Sequence, residues 1–223
     1  MTQDHQHLID VPEHIGAVDR TVGTRRLDGA DVRVVTLERT FPADLEDVWD
    51  ACTRAERIAR WFAPVSGDLR LEGRYQVEGN AGGTVTSCAP PRRFEATWEF
   101  AGDVSRIEVS LSPEQDGGTR LRLEHTGPGS DEHWGQFGPG AVGVGWDLAL
   151  VGLALHLRSG GAAGAEEGAT WMASEEGRTF MALSSSAWGD ADAAGGADEA
   201  QARAAAERTR QAFTAVPDPG GTA

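Results

Sequence analysis

Residues 41–62 read F-P-A-D-L-E-D-V-W-D-A-C-T-R-A-E-R-I-A-R-W-F, and the spacing of their apolar positions predicts two short helices in tandem. Leu45, Val48, Trp49 and Cys52 recur at i, i+3, i+4 and i+7, the stripe of a helix that buries one side. Asp44 stands where it can cap the start, with Glu46 and Asp47 in the first turn, where aligned peptide dipoles favour negative charge. Thr53 followed by Glu56 predicts a capping box that opens a second helix. That helix carries Ile58, Trp61 and Phe62 on one face and stops at Pro64.

Before this stretch, residues 18–26 and 32–39 predict two strands around an Asp28-Gly29 turn, and the residues before His14 read as a loose tail. After it come strand signals in close succession. Leu69 and Leu71 alternate with Arg70 and Glu72, and Tyr75 and Val77 with Arg74 and Gln76; a glycine-rich turn at 79–83 follows. Val85 opens the next strand and Pro90-Pro91 ends it. Phe94, Ala96, Trp98 and Phe100 then share one face; so do Ile107, Val109 and Leu111, and so do Leu121, Leu123 and His125. Polar residues fill the opposite face, and each connection is short enough for a hairpin, so the pattern predicts an antiparallel meander with an apolar inside.

Residues 127–141 form a glycine- and proline-rich loop whose Trp134 and Phe137 suggest a rim or lid. Residues 143–158 predict a helix apolar almost all the way round, which has to be enclosed on several sides. It is too short and too interrupted by Gly, Asp147 and His156 to read as a membrane span. Residues 160–169 read as an alanine- and glycine-rich linker. Phe180, Leu183, Ala187 and Ala191 then mark a helix stripe flanked by Trp188, and Asp198 can cap a final helix with Ala202, Ala205, Ala206, Thr209 and Phe213 inward.

Composition limits what such a chain can do. The 223 residues carry a net charge of -15, which argues against nucleic acid or an anionic membrane as partner. All 20 basic residues are Arg, so Schiff-base and P-loop lysine chemistry are excluded. Cys52 and Cys88 read as small core hydrophobes in a reducing compartment, and no signal-peptide pattern opens the chain; the expected location is cytoplasmic.

Residues 39–53, 60–62 (R-W-F), 68–75, 90–100, 118–125 and 145–153 (G-W-D-L-A-L-V-G-L) together resemble the homologues of the activator of heat-shock protein 90 ATPase. These belong to the START-like, or SRPBCC, superfamily, which includes polyketide cyclases and aromatases. The resemblance covers residues 18–158, and the tail resembles an extension of some bacterial members. It implies an α+β helix-grip fold: a curved antiparallel sheet around the long helix, with a cavity between them for apolar small molecules. The expected organisation is a flexible tail at 1–13, a START-like domain at 14–159, and a linker with helical extension at 160–223.

Trp61, Phe62, Trp98, His125, Trp134, Phe137, Trp146 and Leu150 are the residues expected at the cavity, with Trp49 turned to the core. His125 ends an inward face and is the acid–base candidate, set against a structural histidine bonded to a carbonyl. Asp131, Glu132 and His133 could join His125 around a metal, but their spacing matches no strong ligand motif, so neither metal nor cofactor is expected. Asp147 is either a buried acid with a raised pKa or, the more ordinary reading, an exposed or Arg-paired one. The leading functional expectation is a non-catalytic binder of an apolar small molecule. The alternatives are a cyclase-, aromatase- or hydrolase-like enzyme using His125, and a co-chaperone-like interaction module or homodimer that uses the tail.

Overall fold

A computed structural model describes residues 9–128, 132–160 and 165–215. Helix α1 (Val11–Gly16) precedes strands β1 (Asp19–Leu27) and β2 (Ala30–Phe41), whose turn places Asp28 and Gly29 at φ 50° and 84°, the left-handed pair of a tight hairpin. The tandem helices are α2 (Leu45–Thr53) and α3 (Ala55–Trp61). Six strands follow: β3 (Val65–Gly67), β4 (Arg74–Val77), β5 (Gly82–Ala89), β6 (Arg93–Phe100), β7 (Asp103–Pro113) and β8 (Thr119–Pro128). All pairings are antiparallel, and the eight strands form one sheet in the order β1-β2-β8-β7-β6-β5-β4-β3. Short α4 (Glu132–Phe137) leads into the long α5 (Gly140–Arg158), and α6 (Ala165–Met172), α7 (Glu175–Ala194) and α8 (Glu199–Thr214) complete the chain.

This is the helix-grip arrangement. Val35, Leu37, Ile107, Val109, Leu121 and Leu123 project from alternate positions of the sheet into one core with Val144, Leu150 and Leu153 of α5. By length and composition α5 could cross a membrane, but eleven of its residues are buried in the fold, so it is a core helix. Charged residues pair across the outer face of the sheet, as Arg120 with Glu38 at 2.8 Å and Arg122 with Glu124 at 2.9 Å.

Several local expectations give way to tertiary contacts. The Asp44 side chain makes no capping bond, although the residue occupies the N-cap position of α2. Thr53 is the last residue of α2, its hydroxyl donating to the Trp49 carbonyl at 2.7 Å; Arg54 takes the N-cap position of α3 with no side-chain capping bond, so the predicted capping box is absent. Residues 69–72 form a turn, not a strand: Asp68 takes the Arg70 backbone N–H and guanidinium, and Glu72 adopts φ 65°. The end of the supposed loose tail is packed, with Ile9 and Val11 buried against Val151 and Phe180. Asp10 caps α1 by accepting from the Glu13 N–H.

The expected linker at 160–169 becomes helical from Ala165. In α7 the buried side runs Phe180, Ser184, Trp188, Asp192, while Leu183 is 42% exposed. The final helix follows its sequence: Asp198 accepts from Gln201 N–H, and Ala202, Ala205 and Thr209 are buried.

The tail packs back on its own domain. Asp147 of α5 is 1% exposed and takes Arg20 of β1 in a two-point ion pair, both contacts 3.0 Å, together with Ser184 Oγ–H and Trp188 Nε1–H of α7. Burial, the dominant influence, pushes this carboxyl above the ordinary aspartate range, opposed by the Arg20 charge and by the three donors. Asp147 is thus both buried and Arg-paired, and the exposed reading does not hold. Gly143 lets the two helices approach: a Cβ there would stand 2.2 Å from the Trp188 ring.

Candidate functional site

Between the sheet, α2, α3 and α5 lies a cavity of about 520 Å³. Three walls enclose it. The strands present the alternate side chains Tyr75, Val77, Val85, Phe94, Ala96 and Trp98; the tandem helices present Trp49, Cys52, Ile58, Trp61 and Phe62. From α5 come Trp146, Ala149, Leu150 and Leu153, at i, i+3, i+4 and i+7. Gly152 on the same helix meets the end of α3 so closely that a Cβ would lie 2.3 Å from the Trp61 carbonyl oxygen. At the mouth stand Arg70, Pro90 and Leu71, the last 55% exposed.

Aromatic rings line the interior in contact with one another. Phe62 stacks on Trp146 at 15° between planes and 6.1 Å between centroids, Trp98 lies 5.1 Å from Trp146, and Trp61 5.7 Å from Phe62. Across the cavity Trp49 meets Phe94 edge-on at 6.1 Å. Two polar groups of the wall are turned to the backbone: Tyr75 hydroxyl donates to Thr97 O at 2.6 Å and Trp61 Nε1–H to Ala51 O at 3.0 Å. Burial raises the Tyr75 phenol above its ordinary range and pushes the Cys52 thiol up to about 12, so neither ionises near neutral pH. Among the described residues Arg70 is the one charged residue of the wall, and Asp68 holds it in a two-point contact of 2.9 Å.

Trp61, Phe62, Trp98, Trp146 and Leu150 thus stand together as expected, whereas three other candidates do not join them. His125 is buried but is not part of the cavity wall; Trp98 and Trp146, which are, stand against it. Its Nδ1 accepts the Trp146 indole N–H at 3.0 Å, which leaves the ring proton on Nε2 to meet Ser105 Oγ at 2.8 Å, and Ser105 in turn donates to Trp98 O. Burial lowers its pKa to about 4, so the ring stays neutral. Its partners are an indole and a hydroxyl, not the expected carbonyl.

Trp134 and Phe137 lie on α4, away from the cavity. Arg33 Cζ sits 4.7 Å from the Trp134 ring, and α8 covers the helix through Arg208 to Gln136 O and Thr209 to Phe137 O. This segment is therefore held under the tail through its backbone carbonyls and does not form a lid over the cavity. Asp131 and the Glu132 side chain lie outside the described residues; among the described residues no three His, Cys, Asp or Glu groups gather as a metal site.

Sequence reasoning missed Trp49, Cys88, Phe94 and the inward strand residues of the wall. Their inward alternation was visible, yet inward positions that pack and inward positions that border empty space read alike.

The family model for Activator of Hsp90 ATPase homolog 1-like protein matches residues 42–158, just over half of the chain. The chain belongs to this family. Solved structures extend the likeness: the crystal structure of CalU16 from Micromonospora echinospora is 32% identical, TM-score 0.64, over 78% of this chain and 98% of that one. The solution structure of the same protein is 33% identical, TM-score 0.66, over 80% and 97%. Because these matches exceed the family-model segment, the likeness reaches beyond the family core. MLL2253 from Mesorhizobium loti, 23% identical with TM-score 0.52 over 57% of this chain and 98% of that one, shares the fold. No curated protein matches the chain.

Proposed function

We propose that this member of the Activator of Hsp90 ATPase homolog 1-like family binds an apolar, ring-bearing small molecule in the cavity and holds it without chemical change. The observation that carries the reading is the cavity of about 520 Å³ walled by aromatic and aliphatic side chains, with the polar atoms of Tyr75, Trp61 and Trp146 engaged within the protein. Ligand pockets of about 300–1,000 Å³ bury drug-sized molecules, and water gains few hydrogen bonds in such a space. Flat rings suit the faces of Phe62, Trp98 and Trp146, while Arg70 and Leu71 border the way in. The cyclase-, aromatase- or hydrolase-like alternative that uses His125 requires this residue to reach the ligand, and its two ring nitrogens are engaged with Trp146 and Ser105.

Native mass spectrometry of the full chain incubated with neutral polycyclic aromatics tests the proposal. It expects a single adduct per chain that survives gentle desolvation, and only bare protein across a graded series of ring sizes would overturn it.

A further inference from the structure

The turn from Asp68 to Gly73 sets one charged side chain at the mouth of the apolar cavity. Asp68 accepts the Arg70 backbone N–H at 3.0 Å and holds the guanidinium through Nε and Nη2, both at 2.9 Å. The turn is tied to β5, whose Val85 and Cys88 line the cavity: Glu72 N–H donates to Val85 O at 2.8 Å and Val85 N–H to Gly73 O at 3.0 Å. A Cβ on Gly73 would lie 2.3 Å from Asp68 O, so the turn closes this tightly only with glycine there. The guanidinium is held at the rim before any ligand arrives, and binding need not immobilise it.

Asp68 takes one edge of Arg70 and leaves another. Nη1 and the second N–H of Nη2 lie outside the two-point contact, and the side chain is 87% exposed. Both charges of the pair persist at neutral pH, since hydrogen bonds from the Arg70 side chain and backbone hold the Asp68 carboxyl down to about 2. Asp68 and Glu72, the acids of the turn, do not line the cavity, whereas Arg70 does. An ionised group deeper in the cavity would face aromatic and aliphatic side chains without a counter-charge, which is strongly unfavourable. A ligand's charge can therefore stay only at the rim, and the charge that the wall presents there is positive.

We propose that the cavity takes an amphipathic acid, its ring system among Phe62, Trp98 and Trp146 and its carboxylate at the mouth on Arg70 Nη1 and Nη2. The inference rests on the proposed binding of an apolar, ring-bearing molecule and adds the sign and position of that molecule's polar end. A planar guanidinium oriented by one carboxylate presents its free edge to a second in the same fork geometry. An ammonium group at this position would meet a like charge. Asp68 offsets part of the attraction and the rim is wet, so the contact selects among ligands without dominating affinity. The net charge of -15 repels every anion at long range, which makes Arg70 a local discriminator and not a steering field.

Fluorescence titration of the full chain with pyrenebutyrate and with pyrenebutanol, which share a body and differ in the charged end, tests the proposal at neutral pH. Arg70→Gln should weaken pyrenebutyrate about 3-fold and leave pyrenebutanol unchanged. Arg203→Gln, which removes an equal charge from an exposed position of α8, should leave the ratio of the two affinities as it is. Binding of both probes with a ratio that Arg70→Gln does not alter would overturn this proposal alone. Binding of neither probe to the unaltered protein would overturn the cavity reading and this proposal with it. If Arg70→Gln does not fold, a crystal structure of the unaltered protein with pyrenebutyrate decides: the carboxylate within hydrogen-bonding reach of Arg70 is expected, and a carboxylate turned away from it would contradict the assignment.

Discussion

The proton on His125 is assigned by its neighbours: the Trp146 indole can only donate, so Nδ1 accepts and Nε2 carries the hydrogen toward Ser105. The neutral ring is part of the folded state, and acid works against it. With a folded pKa of about 4 against an ordinary 6.5, the unfolded chain binds more protons between those values, so stability rises with pH across that window and is fully present above it. The difference amounts to about 3 kcal/mol from this residue. Urea unfolding of wild type and His125→Gln between pH 4 and 7 should show a shallower pH slope in the variant; equal slopes would contradict the assignment. A second residue-scale expectation concerns Asp147. Asp147→Ala leaves Arg20, with its side chain 6% exposed, without a counter-charge, and should destabilise the chain by about 3–5 kcal/mol. Hydrogen exchange in α7 should accelerate with it, since Ser184 and Trp188 lose their acceptor.

At the scale of elements, the close contact of α3 with α5 shapes the cavity. Gly152→Ala puts a methyl group 2.3 Å from the Trp61 carbonyl, so α3 has to shift; a loss of about 1–3 kcal/mol in chemical unfolding is expected, with weaker binding of apolar ligands because Trp61 and Phe62 move with the helix. Unchanged stability would mean that the helices do not meet there. Much of this layer was legible in the sequence, because Val48 and the 146–153 spacing carry a helical period and the 94–98 and 107–111 runs carry a period of two. Other features were not, for a physical reason in each case. Leu69 and Leu71 alternate like a strand, yet the Asp68 carboxylate binds Arg70 and closes a turn. In α7 the apolar pattern selects Leu183, whereas the residue turned inward is Ser184, because its partner Asp147 lies far away along the chain. Trp134 and Phe137 read as a lid since nothing in their own loop reveals that α8 will cover them.

For the whole molecule, the sheet grips α5 on one side and the tail closes over the other, so the domain and its extension stabilise each other through Arg20, Asp147 and Trp188. The remaining space is the cavity, and its size and lining were not written in any local pattern; they follow from how far the tandem helices stand from the sheet. Titration of the full chain with the neutral fluorophore N-phenyl-1-naphthylamine tests the proposed function most directly, with Ala149→Phe as the variant that fills the cavity from α5. Saturable binding of one probe per chain, with quenching of tryptophan emission and loss of both in Ala149→Phe, is the predicted result; no saturable binding, or equal binding by the filled variant, would contradict it.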